Sequence, residues 1–448
     1  MKRSKIAFAI TMAVSMLSLT ACNDDSDSSA SNQQPTYLSE RAYLKGTLDT
    51  ADSIKVMTYN MENVQGRTAK ATALVMFPKV AQPTDGYRVV VWEHGTVGVG
   101  DSCAPSNNVI HPRFKILADS LLAAGYVVIA PDYEGLGTPG IHPYLNLSSA
   151  AKSALSAVQA AKDHYGKQLN GAWMSAGQSQ GGHASLGTAE YANNDATYKG
   201  AVAGAPASSL GKIILEVAPV ALADIEKQEI QFGVPLAART SVDSYATLLA
   251  YAALAGVGIK AYDPRFNYQD IFQSRAKSLA EFAEGSTGDN GLCLDNDDPS
   301  LSLIEKFKTD IILFMTANPD KKVMDYPGLD ASAFANNETV KKFLISSQPG
   351  TKRIDKPILV VQGKADTNVP YVVTQTLVGG LKTLGSPDVT LELVDRASHT
   401  QAIVCKNLQI YDFIQAKMPA KTNITLDPAT VDASTNINCT GVAPPTLN

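Results

Sequence analysis

Gly177-Gln178-Ser179-Gln180-Gly181 is the stretch that most restricts what this chain can fold into. A short apolar run, Ala172-Trp173-Met174, precedes it, and a small-residue helical pattern over residues 182–189 follows. Strand, sharp turn and helix in that order hold a serine in a strained backbone conformation, with its hydroxyl above the sheet edge. Glycine two residues to either side lets the strand and helix backbones pass too closely for a Cβ. The pentapeptide alone is a weak signal. It gains force only if an acid and a histidine follow, in the right order, at strand ends.

Both follow. Residues 356–366 read as a buried parallel strand ending in a loop that carries Asp366. Residues 389–394 read as another strand, and the loop after it carries His399. Between the two loops there is room for that strand and one helix, over residues 373–384. Serine, then aspartate, then histidine is the chain order of the α/β-hydrolases and not that of the chymotrypsin or subtilisin arrangements. Ser179 is therefore the candidate nucleophile, His399 the base that takes its proton, and Asp366 the acid that orients the imidazole. The backbone N–H groups of Gln180 and Thr96 are the candidate oxyanion donors, with Gly95 as the alternative to Thr96.

The rest of the chain supplies the framework such a site needs. Residues 53–59 and 68–77 look like antiparallel strands joined around Gln65-Gly66-Arg67. Strands over 88–92, 125–132 and 199–204 alternate with helical patterns over 114–124 and 148–165. This rhythm implies an α/β fold with a mostly parallel, doubly wound sheet. It breaks between Pro206 and Asp355, where the core needs one helix and far more chain is present. Helical patterns there cover residues 218–228, 242–255 and 301–316. The last has Asp298 as its expected cap and Pro299 in its first turn. We expect residues 37–206 and 356–418 to form the two parts of the core, 207–355 a helical cap or lid over the site, and 419–448 a tail.

These residues resemble the secreted lipase family of α/β-hydrolases, typified by fungal lipases with a large helical cap. The resemblance spreads over roughly residues 50–440. It is carried by A-P-D-Y-E-G-L-G at residues 130–137, the G-Q-S-Q-G-G turn, G-K-A-D-T-N-V-P at residues 363–370, and four cysteines beyond the N-terminal segment. It implies a lipase or esterase that uses the Ser179, Asp366 and His399 triad on carboxylic esters, with no cofactor. His94-Gly95-Thr96 departs from the fungal pattern and looks more like the H-G-x oxyanion loop of bacterial esterases. A polyester depolymerase has the same triad, and a peptidase or an inactive surface-binding lipoprotein are the more distant readings.

The first residues are a targeting segment. Lys2, Arg3 and Lys5 precede an apolar run over residues 6–19 that is too short for a stable span. Leu19-Thr20-Ala21-Cys22 resembles a bacterial lipoprotein signal, in which residues 1–21 are removed and Cys22 carries lipid. Residues 22–36 then form an acidic, flexible tether. The expected product is exported, and either anchored to the cell envelope (the outer membrane, since Asn23 replaces the retention aspartate) or secreted. Cys103, Cys293, Cys405 and Cys439 remain, and an oxidising compartment makes two disulfides from them with three possible pairings. The family resemblance implies first with second and third with fourth.

Composition excludes other classes. The chain has 448 residues, enough for one large domain with insertions or for two. It is 45% hydrophobic and 18% charged, which excludes general disorder. A formal charge of −5 gives no reason to expect nucleic acid as a partner. The six histidines have no metal-ligand spacing, and Asp295-Asn296-Asp297-Asp298 lacks the glycine and distal glutamate of a calcium loop, so no metal is expected. His94 and His183 read as structural histidines, and Asp132 as a loop-fixing carboxylate.

Overall fold

The computed structural model describes residues 36–433 together with Cys439. The expected signal, Cys22 and all but the last residue of the tether lie outside the described residues, as does most of the expected tail beyond Asp432 and Ala433.

A nine-stranded mixed sheet forms the frame, in the order β1-β2-β3-β5-β4-β6-β7-β8-β9. The strands are β1 (Tyr37–Ala42), β2 (Ala51–Glu62), β3 (Thr68–Pro78), β4 (Tyr87–Glu93), β5 (Val127–Pro131), β6 (Leu169–Gln178), β7 (Tyr198–Gly204), β8 (Ile358–Gly363) and β9 (Val389–Val394). The first three pair antiparallel, β3 pairs antiparallel with β5, and the remaining pairings are parallel. Central strands of a parallel sheet are covered on both faces, so they read as unbroken apolar runs. Every residue of β4, β5 and β8 is buried.

Alternation along the strands sends side chains to two separate cores. On one face Val90, Met174, Val202 and Leu359 pack with α1 (Pro112–Ala124) and a later helix carrying Ile410 and Ile414. On the other, Val89, Val91, Trp173 and Val360 pack with α2 (Leu147–Tyr165) and α3 (Gln180–Tyr191).

Between β7 and β8 the chain builds a helical insertion with a core of its own. It holds α4 (Leu210–Lys212), which runs through a π-helical turn (Ile213–Val217) into α5 (Ala218–Gln231). Then come α6 (Thr240–Tyr262), α7 (Ser274–Glu284), α8 (Leu303–Ala317), α9 (Ala331–Asn336) and α10 (Glu338–Ser346). Leu249, Leu254, Phe307, Ile311, Phe334 and Phe343 fill the space between them. Helix α6 is long and apolar enough to cross a bilayer, yet most of that stretch is buried among its neighbours. After β8 follow α11 (Tyr371–Thr383), then β9, α12 (Gln401–Cys405), α13 (Asn407–Lys417) and α14 (Pro428–Val431).

Two details differ from the sequence reading. Asp298 does not cap the long helix. It accepts from Ser300 N at the head of a 3-10 turn (Pro299–Leu301), and Ser302 caps α8 by accepting from Glu305 N. Proline fits the first turn of either helix type, so the signal was real and the element it started was the shorter one. Helices α7, α9 and α10 were also not anticipated, because short amphipathic segments give little periodicity to count.

Cys103 is bonded to Cys293 and Cys405 to Cys439, with Cα separations of 5.4 and 5.7 Å. The first bond ties the loop after β4 to the insertion. Leu294 N donating to Val97 O at 2.8 Å and Asp101 N donating to Asp289 O at 2.8 Å run alongside it.

Candidate active site

The turn after β6 puts Ser179 at φ 60° and ψ −117°, between the last residue of the strand and the first of α3. Backbone crowding explains the glycines. A Cβ on Gly177 would lie 2.2 Å from Gly181 O, and one on Gly181 would lie 1.8 Å from Glu93 O. No side chain fits either place. Strand β4, helix α3 and the turn thus meet backbone to backbone, and the serine is held at the sheet's C-terminal edge.

His399 and Asp366 come to the same edge from the loops after β9 and β8. His399 Nε2 lies 2.8 Å from Ser179 Oγ, and His399 Nδ1 lies 2.8 Å from Asp366 Oδ2. All three side chains are buried. A carboxylate only accepts, so Nδ1 carries the proton and Nε2 offers its lone pair to the serine hydroxyl. Asp366 also accepts from Asn368 N at 2.9 Å, Val369 N at 2.8 Å and Gln362 Nε2 at 2.8 Å. Those donors fix the carboxylate's direction before any substrate arrives.

Gln362 and Gln178 were not singled out from the sequence. Gln362 is oriented by Thr374 Oγ1, which donates to its Oε1 at 2.7 Å. Gln178 Nε2 donates to His399 O at 3.1 Å, holding the histidine loop against β6. Each is a buried amide next to the end of an apolar strand, and that polar interruption was the available signal.

Gln180 is the first residue of α3, so its N–H has no partner within the helix. The loop at Gly95 and Thr96 runs beside the serine. A Cβ built on Gly95 would stand 3.7 Å from Ser179 Cβ and 3.1 Å from Gln178 Oε1. Thr96 Oγ1 is 2.7 Å from Tyr144 Oη, which steadies that loop.

Buried polar groups support this backbone. His142 Nδ1 donates to Glu134 O at 2.7 Å, and its Nε2 faces Gln180 Nε2 at 3.0 Å. Burial pulls the His142 pKa down to about 3, so the ring stays neutral and accepts from the Gln180 amide. His94 sets one ring nitrogen against Gly95 O at 2.6 Å and the other against Asp132 O at 3.3 Å, and burial lowers its pKa as well. Asp132 accepts from Thr72 Oγ1 at 2.6 Å and Ser106 N at 2.9 Å, and burial raises its pKa to about 6. His183 donates Nε2–H to Ser347 O at 2.8 Å, linking α3 to the segment that follows α10. Glu93, beneath the turn, accepts from Thr188 Oγ1 at 2.8 Å, and burial pushes its carboxyl well above the usual range.

This sheet, with its serine turn and the two loops that meet it, has the α/β-hydrolase fold. Residues 113–230, which include Ser179, match the secretory lipase family, a narrower span than the motifs cover. The chain is similar in fold to the rice cell wall degrading esterase LipA from Xanthomonas oryzae. That likeness has a TM-score of 0.60 at 18% identity, over 87% of this chain and 99% of the other. It is similar also to a putative hydrolase from Legionella pneumophila, with a TM-score of 0.61 at 17% identity over 87% and 100%. Candida antarctica lipase A in its closed state gives 0.58 at 15% identity over 91% and 85%. No curated protein matches the chain.

Proposed function

We propose that this chain is an exported serine hydrolase of carboxylic esters, lipase or esterase in type, working through an acyl-enzyme on Ser179. The observation that carries the reading is the unbroken relay from Asp366 through His399 to Ser179, with both links at 2.8 Å. His399 Nε2 takes the serine proton as Oγ attacks the ester carbonyl, and returns it to the departing alkoxide. Asp366 keeps the ring in the tautomer that permits this and stabilises the imidazolium. Negative charge on the carbonyl oxygen is received by the N–H groups of Gln180 and Thr96, and the N-terminal end of α3 favours it. Water then repeats the sequence on the acyl-enzyme, with His399 as its base.

The match to secretory lipases over residues 113–230 supports ester hydrolysis, and together with the two disulfides it supports export. The insertion over residues 207–355 is read as a helical lid over the site. Hydrolysis profiles on p-nitrophenyl esters, triglycerides, a polyester film and amides separate lipase, depolymerase and peptidase. The decisive test is Ser179→Ala together with a fluorophosphonate probe. The variant is expected to lose roughly four to six orders of magnitude in kcat, and the probe to label the native Ser179 peptide. A variant keeping more than a few per cent of activity, or labelling elsewhere, would sink the assignment.

A further inference from the structure

Gln362 is the buried polar residue that the mechanism above leaves without a part. It is the next-to-last residue of β8, and it is fully buried, as is Thr374 on α11. An apolar side chain would suit a buried strand as well, and a buried amide is costly unless its groups are partnered. Gln362 is partnered throughout. Its Nε2 lies 2.8 Å from Asp366 Oδ2, 3.0 Å from Val369 O and 3.1 Å from Gly363 O. Its Oε1 accepts from Thr374 Oγ1 at 2.7 Å. The atoms around Nε2 are all acceptors, so only the amide nitrogen fits there and the side chain has one orientation.

Gln362 shares an atom with the base. His399 Nδ1 donates to Asp366 Oδ2 at 2.8 Å, the same oxygen that Gln362 reaches. The other oxygen, Oδ1, accepts from Asn368 N and Val369 N. A carboxylate has about four lone-pair sites, and these donors fill them. Gln362 also staples the acid loop, because Nε2 meets both the carboxylate of Asp366 and the carbonyl of Val369. The insertion packs on that loop too, through Ile213 and Ala218 against Val369 and Val373. The acid therefore sits between a polar clamp from the sheet and an apolar cover from the insertion.

We propose that Gln362, oriented by Thr374, is a positioning residue that holds Asp366 Oδ2 in line with His399 Nδ1. This rests on the ester-hydrolase reading and adds a residue to it. Without the Gln362 donor, Oδ2 keeps an unfilled site in a buried place, and the carboxylate can turn about its Cβ–Cγ bond. The imidazole is then held at a poorer angle when it must accept the serine proton. That loss falls on the transition state, where the imidazolium forms, and not on substrate binding.

Turnover of p-nitrophenyl acetate tests it. Gln362→Leu removes the donors at similar volume, and should lower kcat about tenfold to a hundredfold with KM within about twofold. Gln362→Glu keeps the shape but sets a second carboxyl group against Asp366, and should lose at least as much. Thr374→Val removes only the hydroxyl that orients the amide, and should lose about threefold to tenfold. Thr374→Ser keeps that hydroxyl and should restore most of the loss, which holds the proposal testable even if Gln362→Leu does not fold. A folded Gln362→Leu protein with unchanged kcat overturns the proposal and leaves the loop to the packing of Ile213 and Ala218. Equal losses in Thr374→Val and Thr374→Ser would trace the effect to packing and overturn it too.

A second measurement needs no turnover. The His399 Nδ1 proton, bonded to a buried carboxylate, is expected at low field in the proton NMR spectrum, and His399→Gln should abolish the signal. Gln362→Leu should shift the signal or broaden it away, Thr374→Val should shift it less, and Thr374→Ser should return it to place. Val360→Ala, on the same strand, is the stability control: it should lower the Tm and leave kcat and the signal as they are. If the native protein hydrolyses no ester but the signal responds in this way, the hydrolase reading fails and the positioning role stands. If esters are hydrolysed and the signal ignores Gln362 and Thr374, the positioning role fails alone. No signal in the native protein would remove the bond on which the proposal rests.

Discussion

Ser179 has a backbone conformation that ordinary L-residues avoid, and the neighbouring glycines explain how the chain sustains it. The contact between Gly181 and Glu93 O is with backbone, which cannot swing aside as a side chain tip can. Gly181→Ala should therefore displace α3 and carry both Ser179 and the Gln180 N–H out of line. A misplacement of about 1 Å costs on the order of a hundredfold in rate, so at least that loss in kcat/KM is expected. Gly379→Ala is the control: it lies inside α11 with nothing within 4 Å of an added Cβ. There the lost freedom of the unfolded chain should raise stability by about 0.4–1 kcal/mol. Equal effects of the two substitutions would show that glycine content, not crowding at the turn, is what matters. The pentapeptide announced this crowding because it is local, written in five consecutive letters. The partners of Asp366 were harder to read. Gln362 and Thr374 meet only after α11 folds back on β8, and one sequence contains no trace of that distance.

Elements are joined here by a few polar ties across the boundary between sheet and insertion, and His183 is one of them. Burial holds its pKa at about 4, below the ordinary 6.5, with only Ser347 O as a hydrogen-bond acceptor. A depressed histidine keeps its full contribution above about pH 6.5 and loses it as pH falls toward 4, where the unfolded chain binds the extra proton. His183→Gln removes this proton linkage while keeping a donor for Ser347. The advantage of the native protein over the variant should shrink by about 2 kcal/mol between pH 7.5 and pH 4.5. Buried acids such as Asp132 and Glu93 titrate in the opposite sense but are common to both proteins. Parallel pH profiles from chemical denaturation would contradict the assignment. The Cys103–Cys293 bond is a second tie, closing a loop of 190 residues. By chain entropy it contributes up to about 5 kcal/mol, so Cys103→Ala with Cys293→Ala should lower stability by about 2–5 kcal/mol. The same substitution should also slow ester turnover, because the bonded loop continues into Gly95 and Thr96. Unchanged melting in calorimetry would show that the backbone pairing at Val97 and Leu294 suffices alone. The sheet elements were legible because alternating apolar strands and helices have strong periods. The insertion was legible as a helical region but not in its parts, since its short helices are fixed by packing around α6 more than by their own pattern.

At the scale of the whole molecule, the question is where such an enzyme works. All three residues of the proposed triad and both disulfides lie within residues 36–433 and Cys439, apart from the first 35 residues. Their sequence suits export and attachment: a cationic start, a short apolar run, Leu19-Thr20-Ala21-Cys22, and then a polar acidic stretch. Each buried CH2 of an attached acyl chain adds about 0.8 kcal/mol, and a single chain gives only reversible membrane binding. Stable anchoring through Cys22 therefore needs more than one chain on that residue. Expressed with its own N-terminus in a bacterium, the native protein should sediment with membranes, resist high salt and be released by detergent. Cys22→Ser should move it to the soluble fraction, with turnover of a water-soluble ester per mole unchanged because the site is built from other residues. Electrostatic adhesion would behave differently, since salt screens it and the chain carries net negative charge like the membrane surface. Native protein found in the soluble fraction, or Cys22→Ser protein still sedimenting, would remove the lipid anchor from this account while leaving the hydrolase site untouched.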